Sequence, residues 1–491
     1  MKIFLVNPPF KTEYGKFSRD QRSPAITKSG TIYYPTWLAS ATGVLEEAGH
    51  ECKLLDCCAR QLDNEDTIKI IKEFYPQLVV INTSTPSIHS DSNFASLVKK
   101  AIPDVLNVFV GTHPSALPTE TLKEAQDVDY IARREYEYTL RELVFKLENG
   151  VVHLSDVLGL SYRNYDGEII NNPDRPFIED LDSLPFVSKV YKEHGIDPHD
   201  YFFAAAEYPM MMIFTGRGCP NNCFFCVYPQ TFHGRKKYRL RSPENVVKEI
   251  EYILEAFPEL KSLGFEDDTF TADLERTKNI CRLMIEKGIN KKINWWVNAR
   301  VTLDFNTMLL MKKAGCRLLI AGFESGNQNV LNAMHKGIKL DWSKRYVENA
   351  RKAGLLIHGC FMVGNPGDTK DTMEETFQLA LKLNTDTAQF FPLMVYPGTD
   401  AYAWAEKNNY IISHDYSKWI TDDGLHSCVL SFPNLSAEEM VAFCDKARKR
   451  YYLRPSYIAS KMKQFIFCPE ERKRLVKAGT RFVKFLFRKD E

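Results

Sequence analysis

Cys219, Cys223 and Cys226 stand in the spacing Cys-x-x-x-Cys-x-x-Cys, on the stretch Thr215-Gly216-Arg217-Gly218-Cys219-Pro220-Asn221-Asn222-Cys223-Phe224-Phe225-Cys226 that directly follows the apolar run Met211 to Phe214. Three thiolates on one glycine-flanked loop can hold three irons of a 4Fe-4S cluster, because soft sulfur suits iron-sulfur chemistry and a short loop brings the sulfurs to one corner. The fourth iron then has no local cysteine, and an open coordination position is what makes a metal centre catalytic. A structural zinc would want a fourth Cys or His, for which His233 is the nearest residue, and spacing alone leaves that alternative open. Twelve cysteines in a chain of 491 residues read as reduced thiols and metal ligands, since so long a chain needs no disulfide staples.

The elements around this loop set its surroundings. At roughly 100 to 200 residues per domain the chain divides into two to four compact units. Residues 1–150 alternate short apolar strands with helical stretches, the pattern of a parallel, doubly wound sheet that binds ligands at the carboxyl ends of its strands. The loops to inspect are therefore Asn7-Pro8-Pro9, Thr83 to Pro86, Gly111 to Pro114 and Arg133 to Glu135. No phosphate-cradling glycine loop follows the first strand, which argues against a dinucleotide site, while a flavin, nucleotide or vestigial domain fits the same pattern. Residues 151–205 read as a linker with a hairpin turn at Asn164-Tyr165-Asp166-Gly167. Residues 206–430 resume the alternation in six strand-helix units, as expected of a partial (β/α)6 barrel. The fold class is α/β throughout these two units, followed by a C-terminal helical extension.

Residues 431–491 form that basic extension. Between residues 448 and 489, fourteen Lys or Arg face only Glu470 and Glu471, interleaved with Phe465, Ile466, Phe467, Phe482, Val483, Phe485, Leu486 and Phe487. That composition suits an amphipathic helix on an anionic lipid surface, and equally a helix pair packed on the barrel with a solvated basic face. The whole chain carries a net charge of +1, giving no electrostatic reason to seek nucleic acid. No run approaches the roughly 18 apolar residues of a spanning helix, and Asn7-Pro8-Pro9 cuts the opening Met1 to Val6 too short for a signal-peptide core. A cytoplasmic protein, peripheral at most on the inner membrane surface, is the expectation.

The cysteine loop, with Phe225 before its third cysteine, resembles the radical S-adenosylmethionine (SAM) enzymes. The resemblance implies that the open iron chelates the amino and carboxylate groups of SAM, and that one-electron reduction cleaves SAM to methionine and a 5'-deoxyadenosyl radical. It continues in order along the barrel. Gly264-Phe265-Glu266-Asp267-Asp268 takes the place of the segment that holds the SAM amino group, with Glu266 and Asp267 as candidates in place of the usual Gly-Gly-Glu. Arg300 of Asn298-Ala299-Arg300 is the candidate for the SAM carboxylate, and Gly322-Phe323-Glu324-Ser325-Gly326 resembles the segment that contacts the ribose and methionine portions through Glu324 and Ser325. Gly359 to Gly364 resembles the strand that supports adenine.

Residues 1–150 resemble the cobalamin-binding domain that precedes the radical module in one branch of that superfamily, the closest segments being Leu78 to Ser84 and Val108 to Pro114. The resemblance implies that Gly111 lets the cofactor's nucleotide tail approach the backbone and that Ser84 bonds it. The Asp-x-His-x-x-Gly motif of classical cobalamin enzymes is absent, and Arg134-Glu135-Tyr136-Glu137 stands where relatives often have Gly-Glu-x-Glu. His89 and His113 read as hydrogen-bonding rather than cobalt-ligating residues. The implied activity is cobalamin-dependent methylation of an unactivated carbon of a small molecule, with a 4Fe-4S cluster, SAM and cobalamin as cofactors and an electron donor such as flavodoxin or ferredoxin as partner. Tyr33 to Ala39 resembles a segment of members associated with hopanoid biosynthesis, which points to a lipid or isoprenoid substrate. The rival readings are a radical rearrangement or ring closure without methyl transfer, and a non-catalytic cobalamin or iron-sulfur sensor.

Overall fold

In the first of the two large sheets, the central strands, made almost wholly of buried Val, Ile, Leu and Phe, lie side by side, because helices cover both faces. The computed structural model describes residues 1–151 and 153–467, with 472, 475, 476, 479 and 480. This sheet holds β1 (Lys2–Asn7), β2 (Glu51–Asp56), β3 (Leu78–Asn82), β4 (Leu106–Val110), β5 (Tyr130–Ala132), β6 (Leu160–Arg163) and β7 (Ile169–Asn171), in the order β2-β1-β3-β4-β5-β6-β7. The first five are parallel. Helices α1 (Thr36–Glu47), α2 (Asn64–Phe74), α3 (Ile88–Ala101) and α4 (Glu137–Glu148) connect or follow them. The order reverses between β1 and β3, so the ligand crevice of such a sheet lies outside their carboxyl ends.

The stretch expected to be a linker is in part sheet. β6 pairs antiparallel with β5 and with β7, turning at Asn164 to Gly167, where Gly167 has φ 81°. β5 is only three residues long and would otherwise leave an open edge, which this hairpin covers. Further on, α5 (Val187–Glu193) packs against α1.

The second sheet holds β8 (Met210–Ile213), β11 (Ser262–Phe265), β12 (Asn294–Ala299), β13 (Cys316–Glu324), β14 (Leu356–Val363) and β15 (Thr387–Pro392), six parallel strands in sequential order. Between β8 and β11 a small antiparallel pair, β9 (Gly216–Gly218) and β10 (Tyr238–Leu240), brackets the cysteine loop. Helices α6 (Pro243–Ala256), α7 (Leu274–Glu286), α8 (Phe305–Lys313), α9 (Leu340–Ala353) and α10 (Lys370–Leu383) form the outer layer. Side chains cap the starts of four of the five: Ser242, Asp273, Asp304 and Thr369 each accept a hydrogen bond from an amide of the first turn, fixing where strand-end loops stop.

α11 (Ala437–Tyr452) seals the β15 edge, with the Tyr451 hydroxyl 2.6 Å from the Thr385 carbonyl and the Tyr452 hydroxyl 2.7 Å from that of Ala388. α12 (Pro455–Phe467) carries Phe465, Ile466 and Phe467, whereas Phe482, Val483, Phe485, Leu486 and Phe487 lie outside the described residues. No helix among the described residues is long and apolar enough to cross a membrane.

The two sheets are locked together by a buried ionic strut. Glu137 accepts from Arg217 of β9 at 2.6 Å and from Ser40 of α1 at 2.9 Å. Glu135 accepts from Arg239 of β10 at 2.5 and 2.8 Å. Arg134, just before Glu135, takes the left-handed conformation, at φ 60°. Above the strut, the Tyr34 hydroxyl donates to the Met210 carbonyl at 2.8 Å.

Candidate active site

The cysteine loop is pinned on three sides. The Phe224 amide donates to the Met334 carbonyl at 3.2 Å, the Ala401 amide to the Phe224 carbonyl at 3.1 Å, and the Gln230 side chain to the carbonyls of Cys223 and Phe224 at 3.1 and 2.9 Å. Cys226 shares a hydrogen bond with Cys223. Set against burial and helped by the charges of Lys336 and Arg300, that bond draws the Cys223 thiol below its ordinary value. A thiolate is the form that ligates metal. Among the described residues no three Cys, His, Asp or Glu side chains converge as a single-ion site requires. His233, the one candidate for a zinc ligand, is buried and bonded to Glu135 at 2.9 Å.

All three cysteines open onto one cavity of about 300 Å³ at the carboxyl ends of the barrel strands, together with Phe225, Asp268, Arg300, Glu324 and Lys336. The acidic run after β11 divides its labour. Glu266 faces Arg22, which reaches across from the loop after β1, and its Oε2 is buried without a hydrogen-bond partner. Burial raises the Glu266 carboxyl despite that arginine. Asp267 turns away, accepting from the Thr215 amide and hydroxyl at 2.6 Å each and from the Gly216 amide at 3.1 Å, so that it braces the root of the cysteine loop. Asp268 lines the cavity and accepts from the Gly218 amide at 3.2 Å.

Opposite, Glu324 ends β13 at φ 61° and meets the Lys336 ammonium at 2.5 Å. Burial works against that ammonium, but Glu324 and Cys223 hold it charged, above its ordinary value. Gly322 makes room for the pair: a Cβ there would stand 2.1 Å from Glu324 Oε1 and 2.8 Å from Lys336 Nζ. Arg300 lines the same cavity and donates to the Lys336 carbonyl at 2.9 Å. Ser325 does not reach it; its buried hydroxyl lies 3.3 Å from that of Thr376 and accepts from the Asn327 amide at 3.1 Å.

Two carboxylates and two cations around an open space beside three cysteines fit the zwitterionic methionine end of SAM and a cluster with one free iron. Asp268, Lys336 and Arg22 were not foreseen. Lys336-Gly337 carried a faint signal, since a glycine after a lysine in a loop allows the turn that φ 66° at Gly337 records. Nothing in the sequence ties Arg22 to a loop some 240 residues downstream.

The residues expected to take the cobalamin tail, Ser84 and Gly111, are both in contact with neighbouring parts of the chain itself. Ser84 is buried with its hydroxyl 2.8 Å from that of Ser87. Gly111, at φ 116°, lies against Thr83, and a Cβ would fall 2.2 Å from the Thr83 carbonyl oxygen. The chain's own residues 8–35 fill the crevice. Asn7 donates to Asp20 at 3.0 Å and Asn82 to Asn7 at 2.8 Å, while Arg19 pairs Asp91 at 2.7 Å and donates to the Pro8 carbonyl at 2.9 Å. His113 is buried against the Tyr416 ring, centroids 4.8 Å apart, and burial lowers it to about 3. His89 lies 3.7 Å from Asp415.

The Radical SAM superfamily matches residues 213–380 and the B12 binding domain residues 22–144. An uncharacterized methyltransferase of Pyrococcus horikoshii is 32% identical over 459 residues, 93% of this chain and 94% of that one. The anaerobic magnesium-protoporphyrin IX monomethyl ester cyclase of Cereibacter sphaeroides is 27% identical over 395 residues, covering 78% of this chain and 62% of the cyclase. Among solved structures, the radical SAM methyltransferase TsrM of Kitasatospora setae, with cobalamin and a 4Fe-4S cluster bound, shares the fold at TM-score 0.69 and 17% identity, over 93% of this chain and 89% of that one.

Proposed function

The chain belongs to the cobalamin-binding radical SAM enzymes, whose cofactors are a 4Fe-4S cluster, SAM and cobalamin, and from that premise we propose how its residues divide the work. Cys219, Cys223 and Cys226 hold three irons. Asp268 and Glu324 receive the SAM amino group, Arg300 and Lys336 its carboxylate, and Phe225 walls the cluster. Glu266 is a positioning residue that acts through Arg22, and Asp267 one that acts through the backbone of Thr215 and Gly216. When bound, cluster and SAM would supply a 5'-deoxyadenosyl radical in this cavity. The substrate is a small molecule, and the reaction is methylation of one of its unactivated carbons.

The convergence of the three cysteines with two carboxylates and two cations on one cavity carries this reading. The electron comes from a donor of flavodoxin or ferredoxin type in the cytoplasm. The basic C-terminal region makes peripheral contact with an anionic membrane surface, and the substrate is a lipid or isoprenoid.

The test is anaerobic reconstitution with iron, sulfide and hydroxocobalamin, followed by reduction in the presence of SAM. Deoxyadenosine together with S-adenosylhomocysteine is the expected result. Deoxyadenosine alone, even with lipid extract present, selects a second reading favoured by the cyclase relative: radical ring closure without methyl transfer. Absence of both products refutes both readings.

A further inference from the structure

A second, larger space of about 640 Å³ lies beside the cofactor cavity, walled by β15, α11, α12 and residues 25–31. Its size is that of a small-molecule site, which ordinarily spans roughly 300–1,000 Å³. The two spaces share Tyr33, Phe203, His358, Gln389, Phe391 and His426, so one opens beside the other across this common wall.

The outer wall is the telling part. α12 is 13 residues long and buries none of them, yet Ile458, Met462, Phe465 and Ile466 recur at helical spacing and line the space. An apolar helix stripe is normally buried against a partner. Here it faces a chamber instead. Burial lowers His358 and His426 each to about 4, so the shared wall carries no imidazolium at neutral pH. Farther out, Lys28, Arg448 and Lys461 line the chamber, Lys28 and Arg448 bridged to Asp445 and Lys461 3.5 Å from Asp386, so that a charged network rims its outer end.

We propose that this chamber holds the hydrocarbon portion of an elongated anionic amphiphile, the substrate, whose reacting carbon passes Tyr33 and Gln389 into the cofactor cavity while its charged end stays near Lys28, Arg448 and Lys461. The inference rests on the reading of the smaller cavity as the place of reaction and deepens it by giving the substrate a binding chamber and a charged end.

The full-length protein is titrated with cis-parinaric acid, a fluorescent polyene fatty acid, and competed with oleate and with tryptophan. Saturable binding displaced by oleate and not by tryptophan is expected. Val441→Trp fills the chamber from α11, and Phe465→Glu puts a charge into the α12 stripe without disturbing any buried residue. Each is expected to weaken binding about tenfold or more, which is about 1.4 kcal/mol. Weakening in either folded variant supports the chamber. Absence of saturable binding to the unmodified protein, or unmodified affinity in both variants, overturns it. Equal affinity for the methyl ester of the probe overturns the anionic end. Deoxyadenosine formation by the same preparation, measured without amphiphile, separates the two ideas: SAM cleavage without probe binding refutes the chamber alone, and probe binding without SAM cleavage refutes the cofactor reading alone.

Discussion

Both parallel sheets end in a set of carboxyl-terminal loops, and the two sets are used in opposite ways. Over the barrel the loops stand apart: Asp268, Arg300, Glu324 and Lys336 surround a cavity, and Gly322 is kept free of a side chain so that the Glu324–Lys336 pair can sit in it. Over the first sheet, residues 8–35 close the switch point with side chains bonded to one another, through Asn7, Asp20 and Asn82 on one side and Arg19, Ser87 and Asp91 on the other. Strand ends supply a position, and the loops decide whether it is open. The loop that closes the first crevice also lends Arg22 to the second, where it meets Glu266 and donates to the Asp267 carbonyl at 2.9 Å.

The contrast can be broken most sharply at the cluster. Cys223→Ala is expected to abolish deoxyadenosine formation while leaving cobalamin affinity nearly unchanged, read by product chromatography and by the visible spectrum of bound cobalamin. Retained SAM cleavage would mean that the open cavity is not the reactive one. The strut between the regions comes next. Glu135→Gln leaves Arg239 and Arg217 buried without their full counter-charge, and breaking a buried pair in this way costs about 3–5 kcal/mol. A denaturant midpoint that does not move would show that the two sheets are held by something else.

Gly322→Ala tests the cavity more gently. The added methyl collides with the Glu324–Lys336 pair, and SAM cleavage is expected to fall about tenfold, mainly through a higher KM for SAM, because binding groups are displaced while the cysteines are untouched. An unchanged KM would remove Glu324 and Lys336 from SAM binding.

The effect expected at the crevice of the first sheet is spread over pH. Burial raises Asp20 to about 7. Its unfolded value is about 3.9, so the folded chain binds the proton first and stability falls as pH rises between those values, by at most about 1.4 kcal/mol per pH unit. The Asp20→Asn variant should flatten that slope in unfolding midpoints measured across the window. Glu135 works with the opposite sign. Burial opposes its ionisation, but Arg239, Arg217 and His233 hold its carboxyl below the ordinary range. The stability it contributes is present above about pH 4.3 and is lost as pH falls below it.

The cysteine loop and the six-unit barrel were legible because both are local signals: a fixed spacing of thiols, and apolar runs alternating with helical periods. The same periodicity revealed the parallel strands of the first sheet, whereas β6 and β7 were signalled only by the turn residues Asn164 to Gly167, since a short, half-exposed edge hairpin lacks the continuous apolar run of a buried strand. Among site residues, the sequence located the acidic run without resolving which member faces the cavity. That choice was made by Thr215 and Gly216, whose amides draw Asp267 backward and leave Asp268 to line the cavity. Ser84, Gly111 and Ser325 matched their motifs, yet all three are engaged by the chain itself, a fact that depends on partners such as Ser87, Thr83 and Thr376 that no motif contains.

The ionic strut has a further consequence for the chain as an engineering object. The acidic ends of the strut belong to the first sheet and the basic ends to the hairpin that brackets the cysteines. Severing the chain near residue 205 would therefore strand two carboxylates in one half and two guanidiniums in the other, each inside a surface shaped to exclude water. The two units are not interchangeable cassettes: a barrel grafted onto another sheet would need Glu135 and Glu137 to travel with it.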